Sequence, residues 1–319
     1  MIFVMNLNIS VATVTYGDRL KYLFPVVEQL LKQDFNHIYV YCNGVSESIL
    51  SKIKNKFNSS KITVLYSEEN KGSAGGYNEL ISYLSKLSDI DRLLLLDDDN
   101  LVPIDCFKKI VSLSMAEHEL YYFHRPDRNL PKQAKELKDP QLILGEKNSF
   151  LGRSIFKKEN SNEAQYSGDL LAAPYGGLLL NRKALVTGIL PKKELYLYAD
   201  DYEYTYRLVT QHDFIIKFSE VFCIEDLEKS YHLRKGTKLF SNRYSNATPL
   251  QLYYSLRNNT WFGLTRSSSK FKYMFNLLFY SFIFLTQFTL TLKINNVQIY
   301  IKAVLDGIDF YKNDKRPKS

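Results

Sequence analysis

Leu93-Leu94-Leu95-Leu96-Asp97-Asp98-Asp99-Asn100 constrains this chain more than any other stretch. Four consecutive leucines bounded by charge read as a strand buried on both faces, which requires a sheet covered by helices on either side. Three carboxylates cannot follow them into the core without counter-charge, so they emerge at the edge of the sheet. Extended backbone sends Asp97 and Asp99 to one side and Asp98 to the other. A same-side carboxylate pair at the carboxyl end of a strand suits a hard divalent cation carrying phosphate oxygens. An acidic turn that merely ends a strand gives the same pattern.

The flanking sequence predicts where that strand sits. Asn8 to Thr15 is apolar and β-branched, a first strand broken by Tyr16-Gly17-Asp18. Leu20, Leu23, Val27, Leu30 and Leu31 then recur at helical spacing, with Pro25 placed in the first turn. His37 to Cys42 is a second strand closed by Asn43-Gly44, Ser46 to Phe57 a second helix, and Ile62 to Tyr66 a third strand. Strand and helix alternating at this interval give a parallel sheet with right-handed crossovers. The leucine run is its fourth strand, leaving at Pro103.

Between the third and fourth strands lies Asn70-Lys-Gly-Ser-Ala-Gly-Gly-Tyr-Asn78, leading into a helix with Leu80, Ile81, Leu84 and Leu87 on one face. Ser73 is its expected N-cap. Gly72, Gly75 and Gly76 before a helix would leave backbone N–H groups facing outwards, a site for phosphate, although a glycine-rich turn of purely structural use is the commoner case. The stretch is neither a Walker A loop nor a regular Gly-x-Gly-x-x-Gly.

From about His124 to Tyr166 the periodicity degrades into a polar, irregular segment. Ala172 to Asn181 is a Gly-Gly entry to another buried strand, and Ile215–Phe218 and Val221–Ile224 are short strands. Asp200-Asp201-Tyr202-Glu203 opens a helix in which Asp200 is a candidate cap and Glu203 pairs with Arg207 one turn on. Within Tyr231-His232-Leu233-Arg234-Lys235, the two cations suit phosphates and His232 offers a neutral imidazole to a metal; an incidental histidine remains the alternative.

Charge separates the C-terminal part from the rest. Residues 229–319 hold 15 Lys+Arg against 3 Asp+Glu, whereas the other 27 basic and 31 acidic residues leave 1–228 net acidic. Leu252, Tyr253, Leu256 and Trp261 mark a helix over Leu250 to Trp261, and Tyr273 to Leu292 runs uncharged between lysines. That length reaches across a bilayer, but Asn276, Ser281, Gln287 and three threonines lower its hydropathy, which favours a helix lying on anionic lipid; a buried helical hairpin is the competing reading. Nucleic acid is disfavoured, because the sheet portion is acidic and the basic excess is interleaved with the apolar run. Three cysteines without paired spacing argue for a reducing compartment and against disulfides or structural zinc. Met1 to Leu7 is too short and lacks the basic leader of a secretory signal.

In their order, Thr13-Val-Thr-Tyr16, Asn43-Gly44, Asn70-Lys-Gly-Ser-Ala-Gly-Gly76, Asp97-Asp-Asp99, Gly176-Gly177, Asp200-Asp-Tyr-Glu203 and His232 resemble glycosyltransferase family 2, the inverting nucleotide-sugar transferases, over most of residues 8–240. Within the family, Asp200-Asp201-Tyr202-Glu203 followed by an aromatic and Arg207, then His232, looks most like the pattern of bacterial galactofuranosyl- and rhamnosyltransferases. The resemblance implies a GT-A fold: an α/β, Rossmann-like, mainly parallel mixed sheet flanked by helices, here over residues 1–240, with a basic, aromatic helical extension over 241–319. It implies that Asp97 and Asp99, completed by His232, hold Mn2+ or Mg2+ and the sugar nucleotide. Asp201 would be the general base, and Thr15 and Asn43-Gly44 would grip base and ribose. Cys42 stands where many members carry the Asp that reads uracil, which leaves UDP and dTDP open.

The expected activity is transfer of galactofuranose or rhamnose from a UDP- or dTDP-sugar to a lipid-linked or growing cell-surface glycan, by a cytoplasmic protein peripheral on the inner membrane face. A binding module without turnover predicts the same donor pocket and no product. An Asp-x-Asp phosphohydrolase would place its acidic loop after the first strand, not the fourth.

Overall fold

The computed structural model describes residues 7–127, 144, 146–156, 170–228, 244 and 247–315. It divides into two compact units, the first formed by Met1–Pro140, Gln165–Tyr196 and Asp200–Glu228, the second by Gln141–Ala164, Leu197–Ala199 and Lys229–Ser319.

In the first unit the strands are β1 (Ile9–Thr15), β2 (His37–Asn43), β3 (Ile62–Ser67), β4 (Arg92–Asp97), β5 (Asn100–Leu101), β6 (Glu119–His124), β7 (Leu178–Asn181), β8 (Ile215–Cys223) and β9 (Glu225–Asp226). Seven of them form one sheet in the order β3-β2-β1-β4-β7-β6-β8, while β5 and β9 pair separately. The first four run parallel, and β7 is antiparallel to both β4 and β6. Register sets Thr15 opposite Cys42 and Val14 opposite Asp97, so three strands end together at one edge. Carboxyl ends meeting at such an edge are where open α/β sheets bind ligands.

Helices α1 (Leu20–Leu31), α2 (Glu47–Lys56), α3 (Gly72–Leu84), α4 (Cys106–Val111), α5 (Arg182–Leu185) and α6 (Asp200–His212) connect the strands. Leu94 and Leu96 join Ile9, Val11, Leu23, Val27, Ile38 and Ile53 in one buried cluster, and Leu93 and Leu95 are equally buried on the opposite face. Burial of each leucine contributes about 1.5–3 kcal/mol, which is why the run stays strand despite its charged neighbours.

Some expectations change. Helix α1 begins a turn earlier than its proline suggests, so Pro25 lies inside it rather than in the first turn. The two strands expected over 215–224 are a single β8, whose pairing with β6 shifts register between Phe123 and His124. Such an irregularity absorbs the break that the alternation implied. Within the polar stretch after His124, residues 146–156 are described and Phe150 there is wholly buried; most of the rest lies outside the described residues.

The second unit contains α7 (Pro249–Arg266), α8 (Lys270–Leu290) and α9 (Ile294–Asp314). A capping box starts α7: the Thr248 hydroxyl accepts from the Gln251 amide at 3.3 Å and Gln251 Oε1 from the Thr248 amide at 3.0 Å. Phe150, Leu252, Leu256, Tyr273, Leu277, Phe284, Phe288 and Tyr300 form the core of this unit. Asn258, wholly buried, donates to the carbonyls of Leu197 and Tyr198 at 2.7 and 2.9 Å. Among the described residues one helix, Lys270–Leu290, is long and apolar enough to cross a membrane by length and composition.

Candidate functional site

The acidic motif does not continue β4. Asp97 ends the strand, and Asp98 and Asp99 form the turn into β5, so strand alternation stops at Asp97. The facing of Asp98 is therefore set by the turn and not by strand alternation. Asp98 is buried, accepts from the Thr15 hydroxyl at 2.7 Å and pairs with Arg19 Nε at 2.8 Å. Thr15, expected at the nucleotide, spends its hydroxyl on this turn.

Arg19 ties several acids together. Its Nη1 meets Glu228 at 2.6 Å and its Nη2 lies 3.7 Å from Asp99, while the guanidinium stacks over Tyr16 and Tyr22 with its carbon 5.2 and 4.8 Å from their ring centres. A second buried cation, Arg125, lies beneath the motif: Nη1 is 3.0 Å from Asp97 and Nε 2.9 Å from Asp226. Asn100 closes this network, accepting from the Asp97 amide at 3.0 Å and donating to Asp226 at 2.8 Å. Gly176 leaves the space for it, since a Cβ there would sit 2.2 Å from Arg125 Nη1 and 2.5 Å from Asp97 Oδ2.

Burial, and after it the charges of Asp97 and Asp98, push the Asp99 carboxyl up to about 7. Asp98 is also raised, burial outweighing its Arg19 and Thr15 partners. A hard cation held between Asp97 and Asp99 would relieve this repulsion. No cluster of three His, Cys, Asp or Glu poised for a metal occurs among the described residues, and His232 lies outside them.

The glycine stretch packs instead of opening outwards. The Gly72 amide donates to Asn70 Oδ1 at 2.9 Å, the Ala74 amide to the Tyr196 carbonyl at 3.1 Å, and the Gly75 amide to Lys71. Helix α3 starts at Gly72 with no side-chain cap, and Ser73, the expected cap, donates to Asp200 at 3.1 Å. Gly72 has φ +69, and a Cβ on it would be 1.9 Å from the Tyr196 carbonyl oxygen; at Gly76 it would meet Val14 at 2.8 Å and at Gly75 the Lys71 side chain at 2.5 Å. Asn43 fastens the loop, donating to the Gly72 carbonyl at 2.8 Å and accepting from the Lys71 amide at 2.9 Å. Cys42, beside it, is wholly buried in the core and its thiol is pushed up to about 12 by burial.

Asp200 and Asp201 occupy the first turn of α6, where unsatisfied amides favour negative charge. Asp200 is the first helical residue and is buried, its carboxylate on Ser73; its pKa is well above the ordinary value, first through burial and then through Asp201. Before it, Tyr196, Tyr198 and Ala199 have φ of 62, 68 and 64, a left-handed run costly for residues with side chains. Glu203 and Arg207 pair at 2.6 Å, as their spacing predicts. Tyr77 and Tyr175, stacked with centroids 3.9 Å apart, link the acidic groups: Tyr77 lies within the field of Asp97, Asp98 and Asp200, and Tyr175 within that of Asp200 and Asp201.

Residues 10–183, more than half of the chain, match the family model described as glycosyl transferase family 2. The chain belongs to that family. Among solved structures, the glycosyltransferase is similar to S. aureus TarS 1-349, with a TM-score of 0.51 and 16% identity over 95% of this chain and 80% of that one. It is also similar to GalNAc-T7, solved with UDP, GalNAc and Mn2+, with a TM-score of 0.50 and 13% identity over 80% of this chain and 49% of that one. At these identities the likeness shows the fold, the GT-A type. No curated protein matches the chain.

Sequence reasoning missed Arg19, Arg125 and Asp226, and gave Asn100, which adjoins the motif, no role. The two arginines had one usable signal: buried acids at the edge of a sheet need cations from somewhere.

Proposed function

We propose that this family 2 glycosyltransferase moves a sugar, galactofuranose or rhamnose, from a UDP- or dTDP-linked donor to a hydroxyl of a lipid-linked or growing cell-surface glycan, with inversion. The observation that carries this reading is the pairing of an acidic turn at the carboxyl edge of β4 with a second acidic pair at the start of α6, joined by the Tyr77–Tyr175 stack.

Asp97 and Asp99, with His232, would hold the divalent ion, which when bound offsets the charge growing on the leaving diphosphate. Arg125 and Arg19 keep the turn in place by neutralising Asp97 and Asp98 from behind. Asp201 takes the proton of the acceptor hydroxyl as its oxygen attacks the anomeric carbon, and the bond to the nucleoside diphosphate breaks on the opposite face. Asn43, Gly72, Gly75, Gly76 and Thr15 shape the donor side of the pocket through packing and loop geometry. Residues 1–240 are read as the transferase domain and 241–319 as the basic region that brings it to the inner face of the membrane.

Purified protein with Mn2+ or Mg2+ should release UDP or dTDP from the matching donor. Asp201→Asn should lower kcat by about 10²–10⁴-fold with donor affinity unchanged. Wild-type turnover in that variant removes Asp201 as the base, and donor binding without any product in the native protein makes it a binding module.

A further inference from the structure

Helix α8 has two faces of different character. Tyr273, Asn276, Leu277, Phe284 and Phe288 point into the core of their own unit, and Asn276 is fixed there by donating to the Asn148 carbonyl at 2.8 Å and accepting from the Ile155 amide at 3.0 Å. Phe271, Phe275, Leu278 and Phe282, spaced four, three and four apart, form one outward stripe. Phe271 is 77% exposed, Leu278 64% and Phe282 72%, and beyond the helix end Leu292, held at φ +56, is 85% exposed. Contiguous exposed apolar surface of this kind marks a docking site.

Two observations select its occupant. The stripe continues through Thr286 and Thr289, and their hydroxyls donate back to the carbonyls of Phe282 and Leu285 at 2.8 and 2.9 Å, as Thr291 does to Gln287 at 2.8 Å. Polar groups satisfied within their own helix present only methyls outwards, which hydrocarbon tolerates and which offers a protein partner nothing to bond. Charge gives the second: from residue 247 to 305 the chain carries 6 Lys+Arg and no Asp or Glu, with Lys272 and Lys293 at the two ends of α8. Anionic lipid complements that surface.

We propose that the outward stripe of α8, with Leu292 at the corner into α9, docks on an anionic lipid bilayer and lies in its interface. Spanning is opposed by Asn276, whose bonds hold the helix to its own unit. The inference deepens the membrane part of the proposed function and is independent of the catalytic part.

Sedimentation of the full-length protein with vesicles tests it. Phosphatidylcholine vesicles containing phosphatidylglycerol should pellet the protein, pure phosphatidylcholine should do so far less, and binding should fall as salt rises. The combined variant Phe271→Ser, Leu278→Ser, Phe282→Ser keeps every charge and should bind the anionic vesicles about tenfold or more weakly, with release of nucleotide from the soluble donor unchanged. Equal vesicle binding by variant and wild type overturns the proposal, as does a wild type that ignores vesicles. A wild-type dimer in light scattering that the substitutions convert to monomer, without any loss of vesicle binding, assigns the stripe to a second copy instead. Nucleotide release lost while vesicle binding persists counts against the catalytic reading alone.

Discussion

Asp99 makes this site responsive to pH near neutrality. Its carboxyl is raised to about 7 from an ordinary value near 3.8, first by burial and then by Asp97 and Asp98. The sign follows from that direction. Below about 7 the folded protein keeps a proton on Asp99 that the unfolded chain gives up near 3.8, so its favourable contribution is complete below 3.8 and is lost as pH rises through 7. A cation must displace the same proton. Apparent affinity for Mn2+ or Mg2+, measured by titration calorimetry, should therefore strengthen from pH 6 to pH 8, and Asp99→Asn should flatten the dependence and weaken binding overall. Asp97, Asp99 and Asp201 were legible as candidates because each sits in a short acidic run beside an apolar one. Arg19 and Arg125 were not, because Asp98 lies 79 residues from Arg19 and Asp226, the second acid on Arg125, lies 101 residues from it. An arginine carries no local mark of such a distant partner.

Where strands and helices begin, packing overrode local chemistry. Helix α3 takes no cap from Ser73 because that hydroxyl is used on Asp200, and the helix starts instead at a left-handed Gly72 pressed against Tyr196. Gly72→Ala should destabilise the protein by about 1–3 kcal/mol from backbone strain alone, with a further cost for displacing the Tyr196 carbonyl. Denaturant unfolding measures this, and a change under about 0.5 kcal/mol, the range of an inert surface substitution, would refute it. The four parallel strands were readable to within a residue or two, since a buried parallel strand must be continuously apolar; β6 and the short extent of β7 were not. Pro25 misplaced the start of α1 because a proline costs a helix one hydrogen bond without forbidding what lies before it.

Taken as one protein, the glycosyltransferase pairs an acidic sheet-containing part with a basic helical one, each around its own core. Ligand that binds only the folded first unit must stabilise it by mass action. UDP or dTDP at about a hundredfold over its Kd, with the divalent ion, should add about 2.7 kcal/mol, read as a rise in melting temperature. A chelator should remove most of that rise, and an unchanged melting temperature in every nucleotide would contradict the donor assignment. Periodicity and apolar runs in the sequence were enough to specify an α/β sheet, the strand carrying the acids and the split in charge, because each depends on residues close together along the chain. Which cations neutralise the acids, which glycines exist for packing, and which face of α8 is left bare depend on contacts between distant segments. Those relations arise only when the chain is closed into three dimensions.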